Sequence, residues 1–172
     1  FESSIVLAQQ MSKFWIEGGG GANAGESYLL AWFFAAYKTK CDAIRKHKRK
    51  GYLFTIGDEA PLPTLTRDQI KKFLGMDAQA DMDIHALLSH VQMDWEIFHL
   101  IVKPVDTQPV VPQWRELLGQ RAVQVSDHTK LAEGIVACIQ CVEGQAEADI
   151  ASGWAGDSKL AVVNVTRQLL NA

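Results

Sequence analysis

A chain of 172 residues with 48% hydrophobic content is long and apolar enough for one real core, which excludes disordered and collagen-like classes. Its formal charge of −3 argues against a general nucleic-acid binder, whose affinity rests on a basic surface that neutralises phosphates. No signal-peptide pattern opens the chain, and the longest apolar stretch, Tyr28 to Tyr37, is about half the roughly 20 residues a spanning helix needs, so a cytoplasmic protein is expected.

Ile5, Ala8, Met11 and Trp15 form an apolar stripe that predicts a helix from about Ser4 to Ile16, stopped by the glycines from Gly18 to Gly21. A second helix is predicted from Gly25-Glu26-Ser27 to about Lys48, with Leu29, Phe33, Ala36, Tyr37 and Ile44 on one side. Its cationic end, Arg45 to Lys50, complements the helix dipole and reads as solvated, an RNA or acidic-partner surface being the alternative. Tyr52 to Ile56 has the β-branched and aromatic content of a strand covered on both faces, and it ends abruptly in Gly57-Asp58. A Pro-rich turn, a short helix near Arg67 to Leu74 and a helix from about Asp83 to Gln92 lead into a strand, Trp95 to Val102. Pro112 to Leu118 reads as a helix with Pro at its start, Ala122 to Val125 as a short strand and Lys130 to Val142 as a helix. Asp157 to Leu170 reads as a last helix, although Val162, Val163 and Val165 leave a strand open.

Strands alternating with helices imply an α/β, Rossmann-like fold, with a mostly parallel sheet, right-handed crossovers and helices on both faces. The few strands in this reading cannot shield so many amphipathic helices. Further strands are therefore expected before Phe1, or from a partner chain, in a single domain covering 1–172. Ligands of open α/β sheets bind beyond the carboxyl ends of the strands, which makes Asp58 the first residue to suspect, with Glu59 beside it.

The loop Gly18-Gly-Gly-Gly21-Ala22-Asn23-Ala24-Gly25-Glu26-Ser27 nearly spells a P-loop, but Glu26 stands where the phosphate-binding lysine must be, and a carboxylate there repels phosphate. The plainer reading is a flexible turn with Ser27 or Asn23 as a cap. Taken together with Tyr52-Leu-Phe-Thr-Ile-Gly-Asp58-Glu-Ala-Pro61, this loop resembles the von Willebrand factor A (VWA) fold. In that family one form of the second site loop reads Gly-Gly-Gly-Asp-Thr-Pro-Glu before its helix, and the third is a strand ending in Gly-Asp followed by prolines. The resemblance covers about Gly18 to Pro63 by motif, and the later cycles to about Val142 by order of elements. It implies a metal-ion-dependent adhesion site that holds Mg²⁺ or Mn²⁺ through an Asp-x-Ser-x-Ser loop, a Thr in the second loop and an Asp in the third. No Asp-x-Ser-x-Ser occurs in this chain, the threonine position falls on Ala24 and the aspartate before it on Asn23, while Asp58 matches. The site implied is therefore degenerate, with Asp58, Ser27 and Asn23 as metal ligands and water completing a shell of about six oxygens. Family members work as adaptors or substrate-recognition modules, and bacterial and phage members are paired with AAA+ ATPases.

Ser126-Asp127-His128-Thr129 follows the third strand on the same sheet edge as Asp58, with no Gly-x-Ser-x-Gly elbow in the chain, and Asp127 reads as an N-cap. Lys103-Pro104-Val105-Asp106 ends the second strand and faces the same cleft or forms a plain turn. Cys138-Ile-Gln-Cys141 has redox spacing but falls inside a helix, where nothing stabilises a thiolate, so core thiols are expected. His85, His90 and His99 lack the HExxH arrangement and read as structural. The expected function is a non-enzymatic adaptor that grips an acidic side chain or loop of a protein partner, through a sheet edge formed by Asp58, Glu59, Asp106, Asp127 and His128. The alternatives are a metal-dependent hydrolase or phosphotransferase, in which Asp58 and Glu59 hold the cation and Asp127 or His128 does acid–base work, and a structural subunit of an assembly.

Overall fold

A computed structural model of the chain describes residues 5–13, 27–102 and 110–170. Helix α1 (Ile5–Met11) lies within the predicted first helix, whose last residues fall outside the described set. Two helices, α2 (Tyr28–Tyr37) and α3 (Asp42–Arg45), replace the single one predicted to Lys48. Beyond Tyr37 the sequence Lys-Thr-Lys offers no apolar group to continue the stripe. There the Lys38 and Thr39 amides and the Thr39 hydroxyl all turn back onto the Phe34 carbonyl. Trp32 lies off the predicted stripe and is fully buried, whereas Tyr37 lies on it and is 42% exposed.

Strand β1 (Gly51–Gly57) carries the Asp58 loop; the next turn holds the short β2 (Thr64–Leu65), which pairs antiparallel with β3 (Met82–Asp83). Between them α4 (Arg67–Leu74) starts on a capping box, Thr66 with Gln69, and stops at Gly75, whose φ of 64° is the left-handed value glycine adopts freely. Asp83 caps α5 (Ile84–Val91) by accepting from the His85 and Ala86 amides. Strand β4 (Trp95–Val102) and helix α6 (Val110–Leu118) follow. Pro112 sits in the first turn of α6, where its missing N–H has no intrahelical partner to lose. Strand β5 (Ala122–Val125) leads to α7 (Leu131–Val142), α8 (Glu147–Ser152) and α9 (Gly156–Leu170). Helix α8 is too short to show a helical period in the sequence. In α9, Val162 and Val165 stand one turn apart and both are buried, so the valines serve a helix face and not a strand.

The result is an α/β structure with a 3-stranded parallel sheet of order β1-β4-β5. On one face α2, α5 and α6 pack Trp32, Leu87, Val91 and Trp114 against Trp95, Ile97 and Ile101 of β4. On the other, α7, α8 and α9 pack Cys138, Ile150, Val162 and Val165 against Phe98 and Leu100. Strand β4 is central, with both faces buried. Strand β1 packs Leu53 into one core and Tyr52 and Phe54 into the other, so both faces are partly covered as expected, but it lies at an edge of the sheet among the described residues, with Ile56 43% exposed. Apolar content states what a strand can bury, but its neighbours decide what it does bury.

The basic stretch before β1 is partly tied down, not simply solvated. Arg49 pairs with Glu143 at 2.8 Å and Lys50 with Glu96 at 3.4 Å. The Tyr52 hydroxyl also donates to Glu143; burial first, and then that carboxylate, push the phenol up to about 12. Among the described residues no helix is long and apolar enough to cross a membrane.

Candidate functional site at the carboxyl edge of the sheet

Asp58 is exposed at the end of β1, where the chain leaves the sheet. The residue before it must be glycine for a packing reason: a Cβ on Gly57 would lie 1.9 Å from the Tyr28 hydroxyl oxygen and 2.8 Å from Tyr28 Cζ. Tyr28 opens α2, so this close approach brings the start of that helix, with the exposed Ser27, to the same end of β1 as Asp58. Gly57→Ala is expected to push Tyr28 out of its seat and destabilise the chain by about 1–3 kcal/mol. Urea unfolding measures that loss, and Tyr28→Phe, which removes the hydroxyl, should recover part of it in the double variant.

Beneath the loop lies a buried polar and aromatic stack. His99 of β4 stands opposite Thr55 of β1, and its Nδ1 is 2.8 Å from the Thr55 hydroxyl. The His99 ring stacks on Trp114 of α6 with centroids 3.6 Å apart, and Tyr28 meets both rings edge-on. Trp114 Nε1 in turn donates to the Glu59 carbonyl at 3.0 Å. A continuous set of contacts therefore runs from the central strand to the backbone beside Asp58. His99 is fully buried, and desolvation holds its pKa down at about 3 against the opposing pull of the Gly57 carbonyl, so the ring is neutral. His99 Nε2 has no hydrogen-bond partner among the described residues.

The other predicted residues scatter along the edge. Asp127 follows β5 and acts as a cap, accepting from the Thr129 amide at 2.9 Å and the Thr129 hydroxyl at 2.7 Å. The hydroxyl bond, then the amide bond, hold its carboxyl below the usual carboxylate range. His128 beside it is exposed. Since β4 lies between β1 and β5, the strand ends carrying Asp58 and Asp127 are separated by two strand spacings, roughly 10 Å at about 4.8 Å each. Glu59 is half-buried, with its carbonyl on Trp114. Asn23 and Asp106 lie outside the described residues.

No cluster of three His, Cys, Asp or Glu side chains suited to a metal ion occurs among the described residues. Of the expected ligands, the described ones are Asp58 and Ser27, two oxygen-bearing side chains where Mg²⁺ or Mn²⁺ takes about six oxygens. These residues alone do not fit the ion. Of the Cys138-Ile-Gln-Cys141 pair, Cys138 is a core thiol as expected, fully buried with its pKa pushed up to about 12, whereas Cys141 is only partly buried, with its thiol raised by burial too.

A cleft of about 270 Å³ lies beside the loop, lined by Pro61 and Pro63, Ile84 and His85 of α5, and Gln113 and Glu116 of α6. A larger one, about 660 Å³, lies at the opposite end of β1, near Lys38, Tyr52 and Trp95, away from this edge.

Comparison with protein-family models, curated proteins and solved structures returns no match to this chain. Sequence reasoning missed Thr55, Tyr28 and Trp114 as supports of the loop. One signal was present, an ionisable His99 inside the apolar run Trp-Glu-Ile-Phe-His-Leu-Ile-Val, since a buried polar group demands a partner.

Proposed function

We propose that the chain is a non-enzymatic protein-interaction domain of VWA-like architecture that contacts its partner through the carboxyl edge of the sheet. One observation carries this reading. Asp58 is exposed on a backbone segment whose neighbours are pinned from below, by Trp114 at Glu59 and by Tyr28 against Gly57. A carboxylate presented on a pre-positioned loop suits recognition, because little ordering entropy is lost on binding. The hydrolase reading has less behind it: of its two proposed acid–base residues, Asp127 is occupied as a cap by Thr129 and His128 is exposed.

The sign of the partner's charge follows from whether a cation is present. An acidic partner group approaches Asp58 and Glu59 favourably only with a cation between them, whereas a basic group needs none. Mg²⁺ or Mn²⁺, if held, would take oxygens from Asp58, Ser27 and Asn23. The described donors, Asp58 and Ser27, fall short of a full shell, and a basic loop, which needs no cation, is the favoured partner chemistry. An AAA+ ATPase remains the partner class that the resemblance suggests.

Calorimetric titration of Mg²⁺ and of Mn²⁺ into the wild type and into Asp58→Ala tests the charge argument, with no saturable heat expected for either protein. Saturable binding that disappears in Asp58→Ala would reinstate the metal site and an acidic partner. A photoreactive side chain at Ser126 then tests the edge itself. The reading requires crosslinks to a protein partner that Asp58→Lys removes, and fails if the adducts survive that substitution.

A further inference from the structure

The cleft beside the Asp58 loop combines two chemistries. Its walls are apolar, made by Pro61 and Pro63 of the turn after β1, Ile84 of α5 and Leu117 of α6. Gln113 and Glu116 complete it; with Leu117 they stand three and four residues apart on α6 and so share one face of that helix. Both are exposed, and among the described residues neither side chain is engaged in a hydrogen bond or an ion pair. No Lys or Arg lines the cleft. The Asp58 and Glu59 carboxylates, a few residues before Pro61, also lack ion pairs among the described residues, so unpaired negative charge gathers on this side of the edge.

The cleft is held in shape before anything enters it. The Ile84 amide donates to the Pro63 carbonyl at 2.9 Å, which ties the turn to the start of α5. Trp114, next to Gln113, ties α6 to the Glu59 carbonyl. Both prolines have their φ fixed by the ring. At about 270 Å³ the space falls below the roughly 300–1,000 Å³ of pockets that enclose a drug-sized ligand, and so suits one side chain of a protein.

Chemistry selects which side chain. An apolar one would cover Gln113 and Glu116 without offering either a partner. A carboxylate would meet like charge, and a lysine ammonium, a strongly hydrated point charge, cannot pair through two parallel bonds. Arginine has an apolar stem for the proline walls and a planar, weakly hydrated head that bonds a carboxylate bidentately.

We propose that this cleft receives an arginine side chain of the partner protein, with its stem along Pro61 and Pro63 and its guanidinium on Glu116. The proposal rests on the reading of the carboxyl edge as a surface for a basic protein partner, and it names the residue type that anchors that partner.

N-acetylarginine methylamide, titrated into the isotope-labelled chain and followed by NMR, is the test. Saturable shifts centred on Gln113 and Glu116 are expected, with a dissociation constant on the order of 1 mM for one side chain without the rest of an interface. The citrulline analogue, of the same shape but neutral, should bind about tenfold more weakly, the lysine analogue should also bind more weakly, and Glu116→Gln should weaken arginine about tenfold. Equal binding of the citrulline or lysine analogue, shifts centred elsewhere, or no saturation overturns the proposal. The comparison of analogues needs no variant, so it decides even if Glu116→Gln fails to fold. Crosslinking from Ser126 uses neither Glu116 nor free arginine, which separates this proposal from the reading beneath it. Asp58-dependent adducts without arginine binding overturn the cleft assignment and leave the edge reading standing; arginine binding without such adducts upholds the cleft and sinks the edge reading.

Discussion

Trp114→Ala is expected to destabilise the chain by about 3–5 kcal/mol, the range for emptying an aromatic site in a close-packed core. Trp114 is fully buried and touches His99, Tyr28 and Trp32, so no neighbour is free to collapse into the space. The same substitution leaves the Glu59 carbonyl without its indole donor. Trp114→Phe separates the two effects. It keeps most of the ring contact and removes only the hydrogen bond, so a loss of about 1 kcal/mol is expected, with faster amide exchange confined to the loop around Asp58 and Glu59. Denaturant unfolding reads the first number and hydrogen exchange the second. Equal loop exchange in wild type and Trp114→Phe would remove Trp114 from the role of loop support.

The second large effect is a loss of stability in mild acid. The pKa of His99 is about 3 in the folded chain against 6.5 for the free side chain, so below pH 6.5 the unfolded state binds a proton that the folded state refuses. Folding stability is therefore fully present above pH 6.5 and declines as pH falls toward 3, at about 1.4 kcal/mol per pH unit for this one group. Between pH 6.5 and pH 4.5 a loss of about 2–3 kcal/mol is expected. The carboxyls of Asp127, Glu133 and Glu143, held low by their hydrogen bonds, act in the same direction, but only nearer the carboxylate range, so the upper part of the window belongs to His99. His99→Leu keeps the site apolar and removes the titration. Its stability should be nearly flat between pH 6.5 and pH 5, where the wild type slopes, and parallel curves for the two proteins would rule out the histidine as the cause.

These predictions turn on contacts between distant parts of the chain, and that is where reading the sequence ran out. Local rules located much of the rest. The helix read near Arg67 to Leu74 and the strand read from Trp95 to Val102 match α4 and β4 in their bounds. Asp58 at the end of a strand was legible because a hydrophobic run stopping at Gly-Asp is a signal carried by adjacent residues. The same run could not disclose that β1 lies at an edge among the described residues, because its composition is that of a strand with neighbours on both sides.

Chain-local chemistry thus established the alternation of strands and helices, the Asp127 cap and the place where a carboxylate leaves the sheet, since each depends on residues within about one or two turns of one another, whereas Ser27 stands at the start of α2 without a side-chain capping bond. Folding in three dimensions settled the remainder. It placed His99 against Thr55, 44 positions away, and set Trp114 beneath a carbonyl 55 positions earlier. It also brought no cluster of three His, Cys, Asp or Glu side chains together around Asp58 among the described residues. Burial and distance are properties of the packed chain, and a sequence states only which groups are available to be packed.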